Sequence, residues 1–345
     1  AGPLAGQSII DIDVRADDPS RAVALTSTNV LSDSSTSSTY SQVFQTTDNG
    51  ATWAPVGMPI DPAVLVQTID VPKSDPSRIY VSGTRGFGTA RTASLFVWTT
   101  ASSRWTEQPI PQFDPSMEDS IYIAAVDPNN ADRVYLRSSG KDVGGESRLF
   151  VTSQAAGDGG AVFTVPPTSS FQVPQAGLAL IGELLGFALS QDGSKVYAGT
   201  KESGLWMASS SDLIFKQVNS HVHVQCLATR GSELWACSDA VSGFVAGVST
   251  DDGATFTPKL CSITGLSGVV QCPASSAGSA PACQASDTVS QCTAAYNMFC
   301  LVDSTNGVCA PNSCGSSAAD GGVALDADAA ATAGGGDASA SSGRG

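Results

Sequence analysis

Charge is scarce in this chain, and glutamate scarcer still. Only 14% of the 345 residues are charged, and glutamate is confined to positions 107, 118, 146, 183, 202 and 233. Long amphipathic helices draw on Glu, Lys and Leu, so their shortage argues against a helical fold. No apolar run approaches the ~20 residues needed to span a bilayer. Positive charge is outnumbered, with 17 Lys and Arg against 32 Asp and Glu and a net charge of −15. That balance disfavours nucleic acid and anionic membrane surfaces as partners. It suits a soluble extracellular protein, including one that holds cations. Ala1 is followed by neither a charged nor an apolar leader segment, so the expectation is a removed leader or a fragment.

Glycine is plentiful instead, at 35 residues, and one glycine-containing pattern occurs twice. Thr46-Thr47-Asp48-Asn49-Gly50-Ala51-Thr52-Trp53 returns as Ser249-Thr250-Asp251-Asp252-Gly253-Ala254-Thr255-Phe256. An aspartate among small residues, with glycine two places on, suits a tight hairpin. Its carboxylate can accept backbone N–H bonds across the turn. Gly50 and Gly253 supply a positive φ. The aromatic, Trp53 or Phe256, then starts the next strand and plugs the hairpin from beneath.

Around these two hairpins runs a longer repeat, from about residue 8 to 260. Each unit has a β-rich strand, a polar turn, a second strand, a polar connection, a third strand, a hairpin and a last strand. First strands begin near Ile9, Val66, Ile121, Gly186 and Val222. The turns are Asp18-Pro19, Asp75-Pro76, Asp127-Pro128 and Gln191-Asp192. Arg21, Arg78, Arg133, Lys195 and Glu233 hold equivalent places at uneven intervals, as in units that share a core and differ in loops. Four short strands per unit predict an all-β propeller blade. A parallel β-helix has shorter rungs and no such hairpin.

On the two hairpins and this pattern, the chain resembles the BNR or Asp-box propellers: sialidases, sortilin-type receptors, xyloglucanases and photosystem assembly factors. It is also similar to uncharacterised secreted BNR-repeat proteins of myxobacteria. The resemblance implies a β-propeller whose boxes lie on the outer rim, away from any catalytic pocket. Thr46, Asp48, Gly50, Trp53, Ser249, Asp251, Gly253 and Phe256 are then structural. It also implies six or seven blades where five are visible. Either about two N-terminal blades are missing, or five blades close alone.

Residues 1–260 therefore form the propeller blades. Residues 261–314 form a second region, carrying Cys261, Cys272, Cys283, Cys292, Cys300, Cys309 and Cys314 among small polar residues. No C-x-x-C pair occurs there, which counts against zinc. Disulfide staples and an oxidising compartment are the expectation. Ala294–Phe299 is a candidate short helix. Cys226 and Cys237 sit on neighbouring strands and either bridge or stand as buried thiols. Residues 315–345, of Ala, Gly, Ser and Asp, are expected to be disordered.

Candidate chemistry is thin. Sialidases clamp a carboxylate with three arginines, but the Phe/Tyr-Arg-Ile-Pro segment that carries the first is absent. Arg21, Arg78 and Arg133 occupy repeat-equivalent turns. Glycoside hydrolysis needs two facing carboxylates. Asp11, Asp13 and Asp70 lie on first strands, which line a propeller's channel, and Glu118 and Asp119 precede another. His221 and His223, two apart on an expected strand, would share a face and either hold a metal or be ordinary strand residues. Asp251-Asp252-Gly253 lacks the ligand ladder of a calcium loop. The Gly83–Gly88 loop has no helix after it to cradle phosphate. No catalytic, cofactor-binding or metal residue is assigned. The expected function is non-enzymatic binding of a protein or glycan by a secreted or surface-attached propeller. The variable loops Asp33–Tyr40, Gly86–Ala93 and Gly140–Ser147 are its expected contact surface. A glycoside hydrolase or sialidase-like enzyme is the alternative.

Overall fold

The structure is a computed structural model that describes residues 4, 6–15, 18–31, 37–141, 147–156, 160–166, 171–172 and 182–260. The seven cysteines from Cys261 to Cys314, the candidate helix at 294–299 and the 315–345 tail lie outside the described residues, as does most of the 140–147 loop. What is described is all-β, with two short 3-10 turns as the helical content. No helix among the described residues is long and apolar enough to cross a membrane.

Five antiparallel sheets follow one another along the chain. The first is β1 (Ser8–Val14), β2 (Ala22–Leu31), β3 (Ser37–Thr46) and β4 (Ala54–Pro55). The second is β5 (Val64–Asp70), β6 (Arg78–Arg85), β7 (Thr92–Thr99) and β8 (Trp105–Pro109). The third is β9 (Glu118–Asp127), β10 (Asn130–Gly140), β11 (Leu149–Thr152) and β12 (Phe163–Thr164). β13 (Phe171–Gln172) adds a parallel bridge to β17 in the fourth sheet, β14 (Gly186–Leu189), β15 (Lys195–Thr200), β16 (Gly204–Ser209) and β17 (Phe215–Asn219). The fifth is β18 (Cys226–Arg230), β19 (Glu233–Cys237), β20 (Ala246–Ser249) and β21 (Thr257–Leu260). In each sheet the four main strands are paired in chain order, and the first strands β1, β5, β9, β14 and β18 pack in succession against one another. This is the arrangement of a β-propeller, with the first strands innermost.

Turn chemistry explains the first corner of the first two blades. At Asp18-Pro19-Ser20, Asp18 Oδ1 accepts from the Ser20 N–H and hydroxyl at 3.1 and 2.6 Å. Asp75 does the same for Ser77 at 3.2 and 2.5 Å. Proline fixes its own φ at the second turn position, so the turn is held from both sides.

Alternation within the strands explains the stacking. Ile79, Val81 and Phe96 face the first sheet, joining Val23, Leu25 and Val43 in one core. Tyr80, Leu95 and Val97 face the other way, joining Ile121, Val134, Leu136 and Phe150 in the next. The third and fourth sheets share a core around Tyr135, Leu189, Val196, Trp206 and Phe215. The fourth and fifth share one around Leu205, Val224, Leu234 and Phe244. At that last interface Gly186 and Gly199 are directly paired across β14 and β15, and Val224 lies over both. A Cβ on Gly199 would come within 2.7 Å of three Val224 side-chain atoms, so glycine is required there for close approach.

Two features depart from the expectations. The fifth blade's first strand is Cys226–Arg230 and begins after Val222 and His223, which lie in an extended connection. Glu118 and Asp119 are the first residues of β9 and do not precede it. Cys226 and Cys237 are directly opposed in β18 and β19 and form a disulfide, with Cα atoms 4.8 Å apart. The bridge closes a loop of sequence separation 11. A Cys226→Ser/Cys237→Ser double variant is expected to lose about 2–3 kcal/mol of stability, read as a lower urea midpoint.

Candidate functional site

The inner strands run parallel, and their C-terminal ends converge. Asp13 and Val14, Asp70 and Val71, Ala125 and Val126, Leu189, and Thr229 line one cavity of about 420 Å³. All five blades contribute, so the cavity is the mouth of the central axis. Side chains lock the strands around it. Asp11 Oδ2 accepts from the Ile69 N–H at 2.9 Å and Asp13 Oδ2 from the Val71 N–H at 2.7 Å. Thr68 Oγ1 accepts from the Ile123 N–H at 2.7 Å, and Thr229 Oγ1 donates to the Leu189 carbonyl at 2.6 Å. The edge amides of an inner strand have no further strand to pair with, so these side chains satisfy them.

A second cavity of about 530 Å³ runs outward along the seam between the fourth and fifth blades. On its wall Lys195 Nζ reaches both oxygens of Asp252, at 2.8 and 2.7 Å, and Tyr197 donates to Oδ1 at 2.6 Å. Asp252 therefore titrates below the usual carboxylate range, held down first by Lys195 and then by Tyr197. The Tyr197 phenol is pushed up by burial and by Asp252.

Both aspartate hairpins lie at this end of the barrel of blades. Thr250 and Asp252 line the seam cavity, and the Asn49 N–H donates to the Ser20 carbonyl of the neighbouring turn at 2.9 Å. Their internal bonds coincide. Thr46 Oγ1 donates to Asp48 Oδ1 at 2.8 Å and accepts from the Gly50 N–H at 3.0 Å. Ser249 Oγ does the same with Asp251 and Gly253, at 2.7 and 2.8 Å. Asp48 takes the N–H and hydroxyl of Thr52 at 2.8 and 2.6 Å, and Asp251 those of Thr255 at 2.9 and 2.7 Å. Gly50 and Gly253 have φ of 83° and 90°. Trp53 Nε1 donates to the Gly50 carbonyl at 3.1 Å, and Phe256 stacks at a tilt on Phe244.

The candidate catalytic acids are dispersed. Glu118 is 1% exposed in its side chain and is held bidentately by Arg148, at 2.8 Å from Nε and 2.6 Å from Nη2. Asp119 is paired with Arg91. Ile123 is level with Thr68 through their hydrogen bond, so Glu118 stands about seven residues, or roughly 23 Å, along the strand direction from Asp70. That separation exceeds what either glycosidase geometry uses. Asp70 is different. Its carboxyl has no hydrogen-bond or ion-pair partner among the described residues. Burial, then the charges of Asp13 and Asp11, push its pKa up to about 8. Asp13 is itself raised, by burial against the opposing pull of the Val71 amide. His221 is exposed, while His223 Nδ1 lies 2.9 Å from Asp239 Oδ2. No group of three metal-ligating side chains occurs among the described residues. The Gly86–Ala93 loop joins β6 to β7, at the end opposite both cavities, with Phe87 88% exposed.

Sequence reasoning singled out the acids of the inner strands but not the two cavities. Gln191, Thr229 and Glu233 come together only because the blades are arrayed around an axis. The shared positions of the turns were the one available signal.

No protein-family profile matches the chain, and no curated protein matches it in sequence. Solved structures resemble it in architecture. One is YCF48 bound to D1 peptide, at 13% identity and TM-score 0.41, covering 73% of this chain and 68% of that one. The β-propeller domain of Cps50 (Swd1) from Myceliophteria thermophila matches at 12% identity and TM-score 0.40, covering 67% of each chain. A chain of the mitotic checkpoint complex matches at 10% identity and TM-score 0.44, over 72% of this chain and 62% of that one.

Two outcomes follow from the bonds above. Arg148→Met leaves the Glu118 carboxylate buried without its cation, at a cost of about 3 kcal/mol, read from urea unfolding. Glu118→Leu added to it should restore part of the loss. Asp251 is drawn down to about 2, chiefly by the Thr255 hydroxyl and amide and the Ser249 hydroxyl. A depressed folded-state pKa stabilises above the unfolded value near ~4 and loses that effect as pH falls through the folded one. Asp251→Asn should therefore melt below the parent at pH 7, with the gap closing towards pH 2 in thermal scans.

Proposed function

We propose that this chain is a non-enzymatic binding propeller of the BNR type, secreted or displayed at a cell surface, that presents its hairpin-bearing end to a protein partner. One observation carries the reading. Of the acids considered for catalysis, four are engaged in holding the fold: Asp11 and Asp13 on backbone amides, Glu118 and Asp119 on arginines. The Cys226–Cys237 bridge supports an oxidising compartment. A protein is favoured over a glycan because neither cavity offers an exposed aromatic platform; Tyr197 is buried and bonded to Asp252.

A second reading has one specific support. Asp70, with its carboxyl pushed up to about 8, stands beside Asp13 in the axial mouth, and a raised acid beside a second carboxylate is what glycoside hydrolysis uses. The readings separate on two assays. Arrays of secreted proteins and of glycans should give retained protein ligands and few glycans. A fluorogenic glycoside panel should stay at background. Turnover that disappears in Asp70→Asn, with both arrays silent, would reverse the ranking.

A further inference from the structure

The axial cavity and the seam cavity share Ser190, Gln191, Thr229 and Gly231, so they form one continuous trench. Its ionisable lining is Asp13, Asp70, Asp192, Glu233 and Asp252 against Lys73 and Lys195. Lys195 is already neutralised by Asp252, and Lys73 is exposed at the rim. Three of the acids hold neighbours: Asp192 the Ser190 and Ser194 hydroxyls, Glu233 the Trp235 indole N–H, and Asp252 its lysine and tyrosine. Asp13 has given Oδ2 to the Val71 amide. Asp70 is left facing the cavity with nothing bonded to it among the described residues. Of the other walls, Ala125, Val126, Pro128 and Leu189 are apolar, and Ser190, Gln191 and Thr229 carry uncharged side chains, none bonded to Asp70.

We propose that the trench receives an extended basic segment of a protein partner, one of whose ammonium or guanidinium groups enters the axial mouth and pairs with Asp70 and Asp13. This rests on the protein-binding reading above and names the chemistry of the partner. Two adjacent, partly desolvated carboxyls cannot both ionise cheaply. A cation placed between them removes that repulsion and supplies the missing donors. The surrounding trench, net negative and rich in hydroxyls, suits the backbone and flanking charges of an extended chain. The groups facing Asp70 are Asp11 and Asp13 from β1 and Lys73 from its own connection. The third, fourth and fifth blades contribute none. Burial and the charges of Asp13 and Asp11 favour the protonated form of Asp70 in the free protein; an entering cation favours its release, so affinity is expected to rise with pH.

Fluorescence anisotropy on the whole chain tests this, with a labelled, N-acetylated Gly/Ser decapeptide carrying two lysines. The same peptide with two norleucines serves as the neutral control. The lysine peptide should bind and the norleucine peptide should not. Asp70→Asn should weaken binding about tenfold. Glu202→Gln, an exposed acid on the β15–β16 connection at the other end of the fourth blade, should leave it unchanged. Affinity should climb several-fold between about pH 6.5 and 9, where lysine stays charged, and the climb should vanish in Asp70→Asn. Circular dichroism confirms that both variants fold. Equal binding by parent, Asp70→Asn and Glu202→Gln would mean attraction to net charge alone and would overturn the proposal. Failure of the lysine peptide to bind overturns it too. If the protein array still returns a non-basic partner, protein binding survives without this chemistry; if only glycoside turnover is found, both fall.

Discussion

The architecture depends on burying both faces of the sheets that lie between two others. A sheet that is apolar on one side can pack against a partner and stop. Here adjacent residues of one strand feed different cores: Ile79 and Val81 go to one, Tyr80 to the next. Such a sheet is stable only between two others, so the blades must succeed one another. Polar groups follow the same rule. Arg78 Nη1 crosses to Asp132 in the next blade at 2.6 Å, and Tyr80 donates to the Ala131 carbonyl at 2.8 Å. Lys195 and Tyr197 repeat that reach onto Asp252 in the fifth blade. In the second and fourth blades, a cation and an aromatic two residues apart on the second strand therefore point to the same side and tie the blade to its successor.

The acidity of the chain looks like a handle for ligands but is largely absorbed by backbone. Asp18, Asp48, Asp75, Asp114, Asp192 and Asp251 accept N–H bonds within their own turns. Asp11 and Asp13 accept from the edge of a neighbouring blade. A fold made of short strands has many corners, and each corner leaves amides that need an acceptor. Aspartate is short enough to bond its own turn, where glutamate is not, and this accounts for its excess. Against that background, the isolation of the Asp70 carboxyl stands out as a departure from how the chain uses its acids.

Much of the fold was legible because propeller blades are local. Strand, Asp-Pro turn, strand and hairpin lie within about fifty residues, and alternation is visible in runs such as Val66–Val71 and Arg133–Leu136. Cys226 and Cys237 were placed on neighbouring strands with a bridge and buried thiols both open, since deciding between them needs their exact opposition. The start of the fifth blade was misread because Val222-His223-Val224 alternates like a strand. Val222 and Val224 are buried in the core between the fourth and fifth blades without any ladder partner. The trench was not legible at all. It is assembled from turn residues far apart in the chain, and whether an acid in it is free or engaged depends on which amide a different blade presents.

The two aspartate hairpins separate local from tertiary causes. Their internal hydrogen bonds agree to within 0.2 Å, yet their surroundings differ. Gly253 is buried, and a Cβ there would meet Leu205 of the preceding blade at 2.1 Å. Gly50 is exposed, with only its own Trp53 near it. The same blade exposes Ile10, Ile12 and Val14 by 42, 47 and 52%, a stripe on one face of β1. In the second blade the corresponding Ile69 is buried in the core shared with the first. The hairpin geometry is thus fixed within eight residues and holds with or without a neighbour. The fourth residue is the one that varies with context: Asn49 bonds only its own blade, while Asp252, with the same positive φ, reaches across to the blade before it. A closed turn that leaves one outward position free to change lets successive blades keep one fold while differing in what they touch.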